Sequence, residues 1–198
     1  TATNHGPQAA PLHLVPQLWF RNTWAWGRDD REATLRRVTP PEHDDGDHHQ
    51  IIASHGWLGT YRLFAEDAEA NGRQIEPRIL FCDNETHEEV LFGTRGRSAY
   101  PKDGVNQAVV HGDNSLVNPA GHGTKVGLHY DFGEVAPGAS VTVRLRLKGG
   151  PAPDRPFGPG FDAVVDRRRQ ESDEVYAEVI PDGVNAERRA VARRAYAG

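Results

Sequence analysis

Three of the four tryptophans of this chain stand within eight residues, in the run Leu18-Trp19-Phe20-Arg21-Asn22-Thr23-Trp24-Ala25-Trp26-Gly27. Indole rings interleaved with guanidinium, amide and hydroxyl groups suit two kinds of chemistry. Laid against the C–H face of a sugar, with Arg21 and Asn22 hydrogen-bonding its hydroxyls, they make a carbohydrate contact. Turned inward they bury a large area and close a core or a domain interface. Trp19, Trp24 and Trp26 alternate with Phe20, Thr23 and Ala25 in a way that no single strand face accounts for, so part of the cluster is expected at a strand end.

Two further groupings carry reactive side chains. His43-Asp44-Asp45-Gly46-Asp47-His48-His49 sets six potential metal ligands in seven residues. Their spacing matches neither a zinc site nor a calcium-binding EF-hand loop, which needs its glycine and a bidentate glutamate at set positions, so the run reads as a solvated acidic loop. His55, His122 and His129 could join it only through tertiary folding. No metal or other cofactor is expected. Asp83 and Glu85 could be offered as the two acids of a glycoside hydrolase, which stand about 5 to 9.5 Å apart across one bond. Two residues apart in Asp83-Asn84-Glu85-Thr86, they instead suit a turn whose polar side chains bind nearby backbone amides.

The elements that must position these groups are mostly strands. Short β-type runs punctuated by turn residues fill the first three quarters, at Leu12 to Phe20, Gln50 to Ser54, Trp57 to Phe64, Arg78 to Cys82, Ala108 to His111, Lys125 to Phe132 and Ser140 to Leu147. A further short strand is expected at Leu35 to Val38, inside a charged loop region from Arg28 to Asp47 that bends at Pro40-Pro41. Val141, Val143, Leu145 and Leu147 alternate with Thr142, Arg144, Arg146 and Lys148, the period-2 pattern of a strand with one wet face. Ala136-Pro137-Gly138-Ala139 supplies a type I or II turn before it, so that Lys125 to Phe132 and Ser140 to Leu147 are expected to pair antiparallel. Many short strands with Gly and Pro between them predict a mainly β, antiparallel β-sandwich. The last quarter differs. After a Pro- and Gly-rich link, Gly149 to Gly160, apolar residues from Phe161 to Val179 recur near helical spacing; Pro181-Asp182-Gly183 ends that amphipathic helix, and Asn185 is a plausible N-cap for a second one.

A net charge of −5 with acidic and basic residues intermixed leaves no basic stripe for a phosphate backbone, and nucleic acid is not an expected partner. No apolar run approaches the roughly 18 residues that span a bilayer, so no membrane partner is expected and the chain is read as soluble and cytoplasmic. The one cysteine, Cys82, excludes an internal disulfide and a cysteine zinc site and is read as a small buried thiol. There is no methionine, and Thr1-Ala2-Thr3 looks like strand interior, so the chain is expected to be a piece of a longer polypeptide.

The tryptophan run resembles the LWFRNTW(S)WG signature of the non-catalytic N-terminal β-sandwich domain of bacterial glucosidase-like proteins related to glycoside hydrolase family 63. Ile79-Leu80-Phe81-Cys82-Asp83-Asn84-Glu85-Thr86 with Leu91-Phe92-Gly93 is similar to the LFTENETN and LFG motifs of the same domains. Weaker matches follow in family order, among them Tyr100-Pro101-Lys102-Asp103-Gly104, Val117-Asn118-Pro119, Gly123-Thr124-Lys125 with His129-Tyr130, and Glu171-Ser172-Asp173-Glu174-Val175-Tyr176. The resemblance runs from near residue 3 to residue 198. Cys82 and Asp83 depart from the usual Thr and Glu, and Val175 from the usual aromatic.

In that family the sandwich is similar to a galactose-mutarotase-like supersandwich and precedes an (α/α)6 barrel that holds both catalytic carboxylates of an inverting exo-glucosidase. The resemblance therefore implies a β-sandwich over 1–150, incomplete at its N-terminus, and a link with helices over 151–198 that leads toward the barrel. It implies no catalytic residue in this chain, a downstream helical catalytic domain of the same polypeptide as partner, and an oligosaccharide or glucoside as ligand. Trp19, Arg21, Asn22, Trp24 and Trp26 are the candidates for contacting the sugar or the domain interface. Two other functions fit the residues: an independent carbohydrate-binding module with exposed tryptophans, and a small metal-dependent β-sandwich enzyme using the histidines.

Overall fold

Residues 1–27, 33–38 and 48–197 are described by the structure, a computed structural model. The fold is mainly β, in several antiparallel sheets with some helices, and it divides into two compact units, Thr1–Pro153 and Asp154–Gly198. In chain order the first unit holds β1 (Ala2–Thr3), β2 (Ala10–Leu14), β3 (Gln17–Trp19), a 3₁₀ turn at Trp24–Trp26, β4 (Thr34–Arg37), β5 (His48–His55) and β6 (Gly59–Glu66). It continues with β7 (Ala68–Ala70), β8 (Arg73–Ile75), β9 (Arg78–Cys82), helices α1 (Glu88–Phe92) and α2 (Gly104–Val110), then β10 (His122–Gly123), β11 (Lys125–Val135), β12 (Ser140–Val141) and β13 (Leu145–Gly149).

Strand β11 organises the unit. On one edge it pairs with β2 and β3, which are two halves of one strand interrupted at Val15-Pro16, where proline has no N–H to give; on the other it pairs with β9. Its residues 126–130 are all buried, which a strand with one wet face would not show. The alternation explains why. Val126, Leu128, Tyr130 and Phe132 face a core shared with Leu35, Ile51, Ala53, Leu63 and Ala65 of the second sheet, β10-β4-β5-β6-β13. On the other side Gly127 lies under Val105 of α2, and Leu80 and Cys82 of β9 pack with Val105 and Ala108. Tyr130 ties the two sheets by donating its hydroxyl to the Glu66 carbonyl at 2.8 Å.

Several sequence expectations hold: β4, β5, β9 and β11 fall where they were predicted, and Ala139 N–H closes the turn on Ala136 O with Gly138 at φ 74°. Three do not. Ala108 to His111 is not a strand; Gly104–Val110 is α2, whose Val105 and Ala108 form the inward face. Ser140 to Leu147 is not one strand, and it does not pair with β11. Its first two residues join β1 and its last three begin β13, which pairs with β6. Between them Arg144 turns to Glu66 and binds both carboxylate oxygens, at 3.1 and 3.3 Å. The wet and dry faces also change over, since Leu147 is exposed. Trp57 and Leu58 stand outside β6, in the turn of the β5–β6 hairpin.

The second unit consists of helices α3 (Pro159–Val179) and α4 (Ala186–Ala197). Pro159 opens α3 at a position where its missing N–H costs nothing. Asn185 caps α4, its Oδ1 accepting from the Arg188 amide at 2.9 Å. Arg193 of α4 reaches Asp173 and Ser172 of α3 and lies 4.9 Å from the Tyr176 ring centre, joining the helices. The predicted amphipathic stripe of α3 is not a core face, for no residue of α3 is buried. Among the described residues, no helix is long and apolar enough to cross a membrane. The acidic loop at His43 to Asp47 and the Pro40-Pro41 bend lie outside the described residues.

Candidate functional site

At the end of β3 the chain leaves the sheet and makes a single 3₁₀ turn, closed by Gly27 in the left-handed region at φ 65°. The turn begins because the Asn22 side chain accepts from the Ala25 amide at 3.0 Å, a local alternative to strand pairing. Opposite it, the segment after β9 crosses at Asp83-Asn84-Glu85-Thr86. Together the two segments bound a cleft of about 380 Å³, lined by Trp19, Arg21, Asn22, Ala25 and Trp26 on one side and by Asn84, Glu85, Thr86, Glu88, Arg97 and Lys102 on the other.

Beneath the cleft the polar groups are wired to one another. Trp24 is 7% exposed, and its indole N–H donates to Glu85 Oε1 at 2.7 Å. Asn22 donates to the Asn84 carbonyl at 2.6 Å, and Asn84 returns a bond from its own amide to the Phe20 carbonyl at 3.0 Å. Asp83 accepts from the Thr124 amide at 3.1 Å and from the Ser98 hydroxyl at 2.6 Å. These bonds satisfy groups that would otherwise cost about 1–3 kcal/mol each if buried alone. The turn at Asp83 to Thr86 was predicted to bind nearby amides, and it does bind backbone, but the partners lie some 40 to 64 residues away in sequence. Cys82, just below, is fully buried; burial pushes its thiol up to about 11, so it is an inert filler.

The lips of the cleft differ. Trp19 and Trp26 are 51% and 58% exposed. The guanidinium of Arg21 lies 5.6 Å from the Trp26 ring centre and the ammonium of Lys125 lies 5.9 Å from that of Trp19, so each indole has a cation near its ring. Lys102 reaches the Thr86 hydroxyl at 3.4 Å. A half-exposed indole next to arginine, lysine, hydroxyl and carboxylate groups offers an apolar platform ringed by donors and acceptors. A sugar has the matching surface, with C–H groups on one face and hydroxyls at its edge.

All five residues predicted as the site, Trp19, Arg21, Asn22, Trp24 and Trp26, come together here, but with different roles. Trp19, Arg21 and Trp26 border the open cleft. Asn22 also lines it, with one amide hydrogen and its side-chain oxygen engaged in the fold; Trp24 is buried. Of the two acids, Glu85 lines the cleft and Asp83 does not, and each accepts a structural hydrogen bond. Of the acidic histidine run, His49 on β5 meets Asp67 at 2.8 Å and His48 packs its ring near Phe64. Among the described residues no group of three His, Cys, Asp or Glu side chains could hold a metal ion.

The chain is similar to the uncharacterized protein YMR196W of Saccharomyces cerevisiae, with 30% identity over 207 aligned positions that take in 94% of this chain and 19% of the yeast protein. It thus spans about a fifth of that relative's length. No family model and no solved structure matches it.

Glu88, Arg97 and Lys102 complete the cleft and were not singled out from the sequence. Arg97 and Lys102 stand 76 and 81 residues from Arg21 in a charge-rich stretch that looks like ordinary surface. Of the three only Lys102 stands inside a quoted motif, Tyr100-Pro101-Lys102-Asp103-Gly104; Glu88 and Arg97 carry no sequence signal.

Proposed function

We propose that this chain is the accessory β-sandwich portion of a glucosidase-like glycoside hydrolase. In this reading Trp19, Trp26 and Arg21 form a carbohydrate-contacting wall, while the catalytic acid and base belong to an (α/α)6 barrel of the same cytoplasmic polypeptide. The observation that carries it is the exposure of two of the three clustered indoles at one polar cleft, in the segment that resembles the family signature. The core shared by Leu35, Ile51 and Leu63 with Val126, Leu128 and Tyr130 supports reading the two sheets as layers of a galactose-mutarotase-like supersandwich. Helices α3 and α4 are then the link toward the barrel. The length of the yeast relative favours a multidomain parent.

Kinetics of the longer protein that contains this segment test the reading. Trp19→Ala and Trp26→Ala are expected to raise KM for α-glucosides several-fold, and this chain alone to give no turnover. Unchanged kinetics in both variants, or glucoside hydrolysis by the chain alone, would sink it.

The exposure of Trp19 and Trp26 also favours a second reading, an independent carbohydrate-binding module. The discriminator is affinity: an independent module binds its sugar as tightly alone as within the longer protein, whereas one wall of a shared site binds far more weakly alone.

A further inference from the structure

Helix α3 presents two stripes. One includes Tyr176 and meets α4, whose Arg193 lies against the Tyr176 ring and binds Ser172 and Asp173. The other runs through Val164, Arg168, Glu171 and Val175, spaced four, three and four residues apart. At 3.6 residues per turn these positions fall within about 60° of arc, the seam spacing of a coiled coil. Val164 and Val175 are 50% and 56% exposed, and between them Arg168 donates to Glu171 at 2.8 Å. A 21-residue helix with none of its residues buried has gained little from packing, which is where most helical stability arises.

The order of the four residues selects an occupant for the second stripe. It reads apolar, cation, anion, apolar; reversed, the valines keep their places and the two charges exchange. A second copy laid antiparallel, with a twofold axis midway between Arg168 and Glu171, therefore sets Val164 against Val175 and Arg168 against Glu171, and symmetry repeats both contacts. The flank agrees. On one side of the seam Arg167 falls next to Glu174 of the second copy, at the positions where flanking ion pairs fix partner and direction. A parallel pair in register would instead put Arg168 on Arg168 and Glu171 on Glu171, like charge on like. We propose that α3 is a self-association helix, pairing antiparallel with α3 of a second copy through Val164, Arg168, Glu171 and Val175. The seam from Val164 to Val175 is about 17 Å long, so the dimer is a weak and reversible one. This stands apart from the carbohydrate reading of the cleft, which its failure would leave untouched.

Sedimentation velocity of this chain over a range of concentrations, with charge-reversed variants, tests the pairing. The wild type is expected to pass from monomer to dimer as concentration rises. Arg168→Glu makes the central layer wholly acidic and Glu171→Arg makes it wholly basic, and each should weaken self-association about tenfold or more, since like charges then meet across the axis. An equimolar mixture of the two single variants should associate again, because an acidic layer then meets a basic one. The double variant Arg168→Glu, Glu171→Arg should recover the wild-type behaviour. Both side chains are well exposed, and an unchanged circular dichroism spectrum verifies that the helix persists in each variant. A wild type that stays monomeric at millimolar concentration overturns the proposal and leaves the stripe to another partner, such as a further domain of a longer polypeptide. Self-association that neither single variant weakens also overturns it, as does a mixture that fails to restore what the single variants lose.

Discussion

The floor and the lips of the cleft are built from the same eight-residue run, yet they obey different rules. On the floor, Trp24 is buried with Glu85 accepting its indole N–H, and Asn22, Asn84 and Asp83 bind backbone groups of Asn84, Phe20 and Thr124. On the lips, Trp19 and Trp26 keep half their surface in solvent, each with a cation near its ring. The difference teaches that members of one short run are sorted by what each meets in the fold: Trp24 meets the Glu85 carboxylate, while Trp19 and Trp26 stand beside cations at the open edge. The floor is therefore a stability element, and the lips are where the proposed sugar contact would fall.

The largest expected effect tests that division. Trp24→Ala removes a buried indole and orphans Glu85, and it should destabilise the fold by about 3–5 kcal/mol. Trp19→Ala and Trp26→Ala should each stay within about 0.5–1 kcal/mol of wild type. Urea unfolding followed by circular dichroism measures all three, and equal losses would erase the distinction.

A smaller effect probes how tightly the floor is backed. A Cβ at Gly123 would sit 2.3 Å from the Cys82 carbonyl oxygen, a backbone atom that cannot swing away. Gly123→Ala should cost about 1–3 kcal/mol. A Cβ at Gly160, in the first turn of α3, would meet nothing within 4 Å. Gly160→Ala should be neutral or stabilise by up to about 1 kcal/mol, chiefly through the unfolded chain. Similar outcomes at the two glycines would mean that the packing behind the cleft is looser than described.

The smallest effect concerns pH. Burial, then His13 at 2.8 Å and Arg78, hold the His129 imidazole below its ordinary value, with Asp131 acting in the opposite direction. The unfolded chain takes up this proton first. The contribution of His129 to stability is thus full above about pH 6.5 and is lost as pH falls from there through the lower folded value. His129→Gln should flatten the decline in unfolding free energy between about pH 7 and pH 5. A variant whose stability falls as steeply as the wild type's would contradict this.

Local patterns in the sequence reached some of this and missed the rest for definable reasons. Strands β5, β9 and β11 were legible because apolar runs bounded by turn residues leave few alternatives. The run from Ser140 to Leu147 was misread because alternation tells which residues share a face but not which strand is the partner. Here one run serves two sheets, with Arg144 turning to Glu66 between them. Helix α2 hid behind the β-branched Val109 and Val110, although Val105 and Ala108 stand at helical spacing. The tryptophan cluster was visible as a cluster, while the sorting of its members depended on Glu85, 61 residues beyond Trp24. No local reading contains that bond.

The central claim, that the lips of the cleft contact sugar and its floor does not, is most directly tested by the indole N–H resonances of the ¹⁵N-labelled chain. Its four tryptophans give four such signals, assignable by single substitution. On titration with maltotetraose or cellotetraose, the account expects the Trp19 and Trp26 signals to shift together along one saturable curve while the Trp24 signal stays in place. Movement of Trp24 alone, or four stationary signals at saturating oligosaccharide, would contradict it.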